Sequence, residues 1–327
     1  MTIHRRTLAA LPLALVAPMR AHAQAGWPER NLTLIVPVAP GGATDLIARV
    51  VAEGLAPRLG RAVTVENRPG GAANIGAAAL ARAPADGHTI GVASLTTMAL
   101  NPWVYRDRLP FDPARDFAFL SNGAFTPNVL VVNPRRVPAA SLAELVAWLR
   151  ANPGVANFGS GGTGTALHVA TAMFLAAADA RATHIPYRGS APMTADLVGG
   201  QLHFTMDAAT SAWPQVTGGA LRALATTGAA RADFAPDLPT LAETWPEVVV
   251  DAWHGFAAPA GTPDAVVERL SREIVAVLRE PATVARMRAA LLVPAPMDAA
   301  SFTAFVAEER RRYGTAVERL GIRVEDA

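Results

Sequence analysis

The chain contains no cysteine and no lysine in 327 residues. Without cysteine there are no disulfides, no thiol nucleophiles and no thiolate metal ligands, so the fold must be held by its core alone. Without lysine there is no Walker-type phosphate loop, whose lysine reaches the terminal phosphates, and no Schiff-base chemistry on a side-chain amine. Charged residues make up only 17% of the chain and form no long run of one sign, against 51% hydrophobic residues. That balance excludes a disordered chain and predicts a globular protein of about two domains with ample core.

All 29 basic residues are therefore arginine, against 27 acidic ones. Arg5 and Arg6 precede the apolar run Leu8 to Ala17, and Ala21-His22-Ala23 supplies a small-residue cleavage pattern, so residues 1–23 read as an export signal. The run is far shorter than the ~20 residues a membrane-spanning helix needs. The arginine pair fits both a Sec and a twin-arginine route. Removing this segment takes Arg5, Arg6 and Arg20 with it and no acidic residue, which turns the formal charge of +2 into −1. The mature chain thus offers no electrostatic case for binding nucleic acid.

Leu32 to Asp45, LTLIVPVAPGGATD, is the first informative stretch. Leu34, Ile35, Val36 and Val38 read as a buried strand, Pro40-Gly41-Gly42 break it, and Leu46, Ile47, Val50, Val51 and Leu55 recur at helical spacing. Thr44 or Asp45 can cap the helix, and Asp45 is as plausible a cap as a ligand contact. A strand that turns through glycines into a helix leaves several N–H groups unpaired, where a carboxylate or phosphate can approach. Asn157 to His168, NFGSGGTGTALH, repeats this order in the middle of the chain. Its turn matches G-x-G-x-x-G by letter, but no acidic residue ends a following strand about 20 residues on, as a dinucleotide site requires.

Between and around these stretches strand and helix alternate, the pattern of a mostly parallel sheet with helices on its faces. Ala62 to Glu66 and His88 to Ala93 read as strands; Ser94 and Thr97 follow the latter, at the carboxyl ends where such sheets bind ligands. Phe111 to Phe117 read as a connection, Asn128 to Val132 as a strand crossing into a second domain, and Trp253 to Pro263 as a small-residue return segment. Asp264 to Leu278 and Phe302 to Leu320 read as amphipathic helices. His88, His184, His203 and His254 read as strand-packing residues, and no spacing of histidines and carboxylates supports a metal. Ser160 lies in Gly-Ser-Gly-Gly rather than G-x-S-x-G, so an exported hydrolase or transferase built on Ser160, His168 and Asp207 is the alternative rather than the leading reading.

With both turns in view, the chain resembles the receptors of tripartite tricarboxylate transport systems, the Bug or TctC-like family. The resemblance is carried in order by Pro40-Gly41-Gly42-Ala43-Thr44-Asp45, Val65-Glu66-Asn67-Arg68-Pro69-Gly70 and Asn74-Ile75-Gly76-Ala77. It continues through Asp86-Gly87-His88-Thr89, the turn from Gly159 to Gly164 with His168, His184 to Gly189, Leu221 to Ala225, and Ala258 to Pro263. It implies a type II periplasmic-binding-protein fold: two α/β domains joined by two crossover segments, residues 24–126 plus 250–327 forming one and 127–249 the other. It also implies a non-enzymatic periplasmic receptor, a monomer without cofactor, holding a small organic carboxylate for a membrane permease or a sensor protein. Carried over by residue, the ligand contacts are Pro40, Gly41, Gly42, Thr44 and Asp45 on one side, and Ser160, Gly161, Gly164, Thr165 and His168 on the other. Asp207 resembles the position facing the ligand's far end, where Ser94, Thr97 and Phe125 join it. Ala208 follows Asp207 where relatives often have asparagine, which weakens the case for an amino-acid ligand. An ionised Asp207 would also repel a second carboxylate, which favours a monocarboxylate or a ligand with a hydroxyl or amine.

Overall fold

A computed structural model describes residues 26–323. The export-signal reading of residues 1–23 lies outside them, as do the outermost residues assigned to the first domain. No helix among the described residues is long and apolar enough to cross a membrane.

The chain opens with β1 (Leu32–Val36), α1 (Ala43–Leu59), β2 (Val63–Asn67), α2 (Asn74–Ala81) and β3 (Thr89–Ser94), the three strands running parallel. A π-helical turn, Leu95–Leu100, leads into α3 (Asn101–Val104), and β4 (Phe117–Thr126) completes the first pass. The second lobe holds β5 (Asn128–Val132), α4 (Leu142–Ala151), β6 (Asn157–Ser160), α5 (Ala166–Ala177), β7 (Thr183–Pro186), α6 (Ser190–Gly199), β8 (Phe204–Ala208), α7 (Ala209–Thr217) and β9 (Arg222–Thr226). The chain then returns through β10 (Ala252–Pro259), α8 (Asp264–Arg279), α9 (Pro281–Ala289), β11 (Val293–Pro294) and α10 (Ala299–Leu320).

Two sheets result, in the orders β11-β4-β10-β3-β1-β2 and β7-β6-β8-β5-β9. Each has a parallel trio, β2-β1-β3 or β7-β6-β8, followed by an antiparallel strand, β10 or β5. The antiparallel strand is in each case the one entered directly from the other lobe. A chain that enters a sheet from the junction must run against strands that end there, so topology alone dictates this reversal. Thr126 pairs with Ala252, Asn128 with Ala208 and Val129 with Thr226, so both crossings lie at the edge where β3 and β8 end.

β4 and β10 are central strands; the sequence shows no strand signal over β4, which starts where the Phe111–Phe117 connection ends, and reads β10 as a return segment. Their stretches, FAFLSNGAFT and AWHGFAAP, lack the apolar alternation of a half-solvated strand because both faces are covered. Gly255 lets α10 lie directly on the sheet: a Cβ there would sit 2.3 Å from the Phe302 ring. On the other face α8 presents buried Val266, Leu270, Ile274 and Val277, and Gly54 of α1 admits Val277 to within 2.4 Å of a Cβ position. Burial of each such side chain stabilises by about 1.5–3 kcal/mol.

Candidate functional site

The first glycine turn joins β1 to α1 and is exposed at Pro40, Gly41 and Gly42. α1 begins at Ala43 with Gly42 as its N-cap and no side-chain cap, so neither Thr44 nor Asp45 takes the position the sequence suggests for it. Asp45 sits in the first turn, buried, and fixes the loop from inside. Its Oδ2 accepts from the Gly41 N–H (3.0 Å) and Arg49 Nε (2.9 Å), and its Oδ1 from Asn67 Nδ2 (2.9 Å) and Arg49 Nη2 (3.1 Å). Burial pushes this carboxyl up, but the bonds from Arg49, Asn67 and Gly41 outweigh it and hold the group below its ordinary range. The outer side of the turn is open. A Cβ at Gly41 or Gly42 would meet nothing within 4 Å, and Gly41 has φ +95°, a conformation that favours glycine.

At the end of β3, Ser94 and Thr97 form a reciprocal cap of the π-helical turn. Ser94 N–H donates to Thr97 Oγ1 (3.1 Å) and Thr97 N–H to Ser94 Oγ (3.4 Å). Both side chains are buried, Thr97 completely, whereas Thr96 between them is only half-buried. His254, in register with Ser94 across β3 and β10, is half-buried and its Nδ1 lies 3.2 Å from Thr44 Oγ1. Burial pushes this imidazole down to about 4, so it is neutral at pH 7. His254 is thus beside the turn rather than a mere packing residue, and since 210 positions separate it from Thr44, no local pattern could have announced it.

The second turn joins β6 to α5 and repeats the design with different supports. α5 starts at Ala166, again with no side-chain cap from its N-cap Thr165, whose hydroxyl donates instead to Gly162 O (2.8 Å). Ser160 is fully buried, its Oγ 2.7 Å from His184 Nε2 and 3.0 Å from Gly162 O. The Gly164 N–H donates to His168 Nδ1 (3.0 Å), which leaves the proton of the neutral ring on Nε2. The His168 and His184 rings stack with centroids 3.9 Å apart, and Phe158 stacks on both. Burial, and then the neighbouring His184, push His168 down to about 4; burial lowers His184 as well. A dry histidine pair therefore buttresses the turn in the uncharged state. Gly161, Thr163 and Thr165 are partly exposed, while Gly164 is buried against the other lobe, where a Cβ would lie 2.6 Å from Val104.

Asp207 closes β8 with no exposure. Its oxygens accept from Thr194 Oγ1 (2.7 Å) and the Ala208 N–H (2.8 Å), and burial pushes its carboxyl up. Ser160, His168 and Asp207 do not form a relay. Ser160 pairs with His184, His168 accepts a backbone N–H, and Asp207 bonds inside its own lobe. Phe125, partly buried on β4, packs edge-on against Phe305.

The two crossings are tied together at the strand ends. Asn128 Nδ2 donates to Thr227 Oγ1 and Val250 O (both 3.3 Å), and Thr227 Oγ1 donates to Val250 O (2.7 Å). A separate groove of about 560 Å³ runs between α1 and α9, but its arginines are spent on its own rim, Arg58 on Glu280 and Arg286 on Glu53. It is a salt-bridged helix seam on one lobe, lined by the later turns of α1 and by α9.

Comparison with known proteins gives the same two-lobe architecture. Residues 47–322 match the family described as tripartite tricarboxylate transporter family receptor. A protein from the tcbD-tcbE intergenic region of Pseudomonas sp. strain P51 is 38% identical over 287 residues, covering 87% of this chain and 84% of its own. Among solved structures, Rpa4515 of R. palustris with adipate is 33% identical with a TM-score of 0.86, covering 91% of this chain and all of its own. MatC of Rhodopseudomonas palustris, with bound malate, is 26% identical with a TM-score of 0.81, covering 89% of this chain and all of its own.

Proposed function

The chain belongs to the tripartite tricarboxylate transporter receptor family, and on that footing we propose that it captures a small organic carboxylate between its two lobes and presents it to a membrane permease. The observation that carries this reading is the pair of glycine turns, one per lobe. Each opens into a helix whose first N–H groups lack a side-chain cap. Two such donor sets hold a carboxylate without a formal cation, which suits a ligand that must be released again. Relatives that carry adipate and malate support the ligand class. Pro40, Gly41, Gly42 and Thr44 on one lobe, and Gly161 and Thr165 on the other, form the contact surface; Gly164, buried against Val104 with its N–H on His168, supports the turn from behind rather than touching the ligand. Asp45, Ser94, Thr97, Ser160, His168 and Asp207 act behind it as positioning residues. Residues 24–126 with 250–327 move as one lobe against 127–249, the junction at Asn128, Thr227 and Val250 serving as hinge. Closure dries the site and strengthens the charge-assisted bonds. Residues 1–23 direct export to the periplasm and are removed, and the mature receptor works as a monomer.

The test is native mass spectrometry of gently purified mature protein followed by thermal-shift titration with carboxylates, amino acids and phosphate esters. At 100 times its Kd the true ligand should add about 2.7 kcal/mol of stability. Stabilisation by a carboxylate, without turnover of ester substrates, is the expected result. Stabilisation by phosphate esters alone would make both turns phosphate cradles and overturn the assignment.

A further inference from the structure

We infer that His254 is a specificity residue of this cleft, its Nε2–H hydrogen-bonding an oxygen of a second carboxylate on the ligand, so that dicarboxylates are preferred over monocarboxylates of the same length. The inference rests on the carboxylate reading above and adds the ligand's second end to it.

Three observations converge on this residue. His254 lies on the return strand β10, in register with Ser94 at the ligand-side end of β3, so the two side chains share a face of the sheet. Its Nδ1 meets the Thr44 hydroxyl at 3.2 Å, at the very start of α1 and next to the open turn. The ring is only half-buried, and among the described residues Nε2 has no hydrogen-bond partner and is not sealed from solvent. When the Thr44 hydroxyl donates to Nδ1, the neutral ring carries its proton on Nε2 and becomes a donor of fixed direction.

The surroundings suit an anionic acceptor there. A carboxylate held between the two turns uses up the N–H donors of both, and a second carboxylate needs another. The neutral imidazole supplies one without adding a fixed charge, and a hydrogen bond to an ionised oxygen is stronger than a neutral pair. Asp207, the residue whose charge argues against a dicarboxylate in the sequence, is fully buried and engaged by Thr194 and Ala208 within the second lobe. With that carboxylate turned inward, the objection to a second negative group falls.

The experiment is isothermal titration of the mature protein with two matched pairs, adipate against hexanoate and malate against 2-hydroxybutyrate. Wild-type protein is compared with His254→Ala and with His254→Gln, whose amide retains a donor; circular dichroism and melting check that each variant is folded. We expect the wild type to prefer one of the diacids, and His254→Ala to lose about ten- to a hundredfold in diacid affinity, as for a hydrogen bond to a charged group. Monoacid affinity should stay unchanged, and His254→Gln should recover part of the loss. Equal losses for both members of a pair would reduce His254 to a packing residue. No loss, or a wild type that binds the monoacid as tightly, would also overturn the inference. If the wider panel finds a carboxylate ligand but neither diacid binds, this inference fails while the receptor reading stands; if no carboxylate binds at all, both fall.

Discussion

At the scale of single residues, the cleft relies on histidines kept neutral by partial burial. His168 and His254 are both pushed down by burial to about 4, below the ordinary value of 6.5. Between those limits the unfolded chain takes up protons that the folded chain refuses, so acidification favours unfolding. Their stabilising neutrality is thus fully present above pH 6.5 and is lost as pH falls towards 4. Asp207, Asp251 and Glu309 act in the opposite sense, because burial raises their carboxyls and the folded chain protonates them sooner. The comparison that isolates the histidine is His168→Gln, which keeps an acceptor for the Gly164 N–H. Between pH 7 and pH 4.5 the wild type should lose on the order of 2 kcal/mol more than this variant. Urea melts at the two pH values measure the difference, and equal losses would show that the stacked pair titrates freely. The contacts of these histidines also limit what the sequence alone shows of the site. Ser160 and His168 stand in the motif, but His184, which bonds Ser160 and stacks on His168, comes from the neighbouring strand and reads as ordinary packing.

At the scale of elements, the two strand-turn-helix units were legible in the sequence because each is local. A β-branched run, glycines and a helical repeat occupy a few consecutive residues. The glycines within them nevertheless do different jobs. Gly42 caps α1 at φ −89° with open space where a Cβ would go, whereas Gly164 has φ +81° and faces Val104 of the other lobe at 2.6 Å. Gly42→Ala should therefore cost at most about 1 kcal/mol as a poorer cap while its methyl group crowds the bound carboxylate. Gly164→Ala should destabilise by about 1–3 kcal/mol through backbone strain and overpacking, and it should also hold the lobes apart. Melting curves with and without carboxylate separate the two. Loss of ligand stabilisation at a nearly unchanged Tm is expected for Gly42→Ala, and loss of both for Gly164→Ala. β4 and β10 escaped a local reading because burial on both faces removes the alternation that marks a strand. The polar and small residues Ser121, Asn122, Gly123 and Gly255 are tolerated there because helices cover the sheet.

At the scale of the molecule, the crossings at Asn128 and Thr227 lie at the sheet edge where β3 and β8 end, so the proposed hinge adjoins the edge proposed for binding. Thr227 accepts from Asn128 and donates to Val250, which binds outgoing and returning chain together. Thr227→Val keeps the shape and deletes the hydroxyl, leaving a buried carbonyl and amide under-satisfied. It should cost about 1–3 kcal/mol and broaden the distribution of lobe separations. Small-angle scattering with and without saturating carboxylate is the measurement: compaction on binding is expected for the wild type, with a larger change in the variant because its empty form opens further. Identical profiles in all four samples would show that the lobes do not move about this junction.

The amino-acid sequence by itself determined the α/β class, the two glycine turns with their helices, and the exclusion of disulfide, lysine-dependent and thiolate-metal chemistry, since composition and short-range pattern suffice for each. It also carried the family resemblance, because that is written in ordered local motifs. Only the tertiary structure decided what lies behind each turn. Asp45 is tied to Asn67 and Arg49, Ser160 to His184, Asp207 to Thr194, and Thr44 to His254. The reason is physical: strand and helix signals act over a few residues, whereas a hydrogen bond forms wherever folding brings donor and acceptor within about 3 Å, however far apart they stand along the chain.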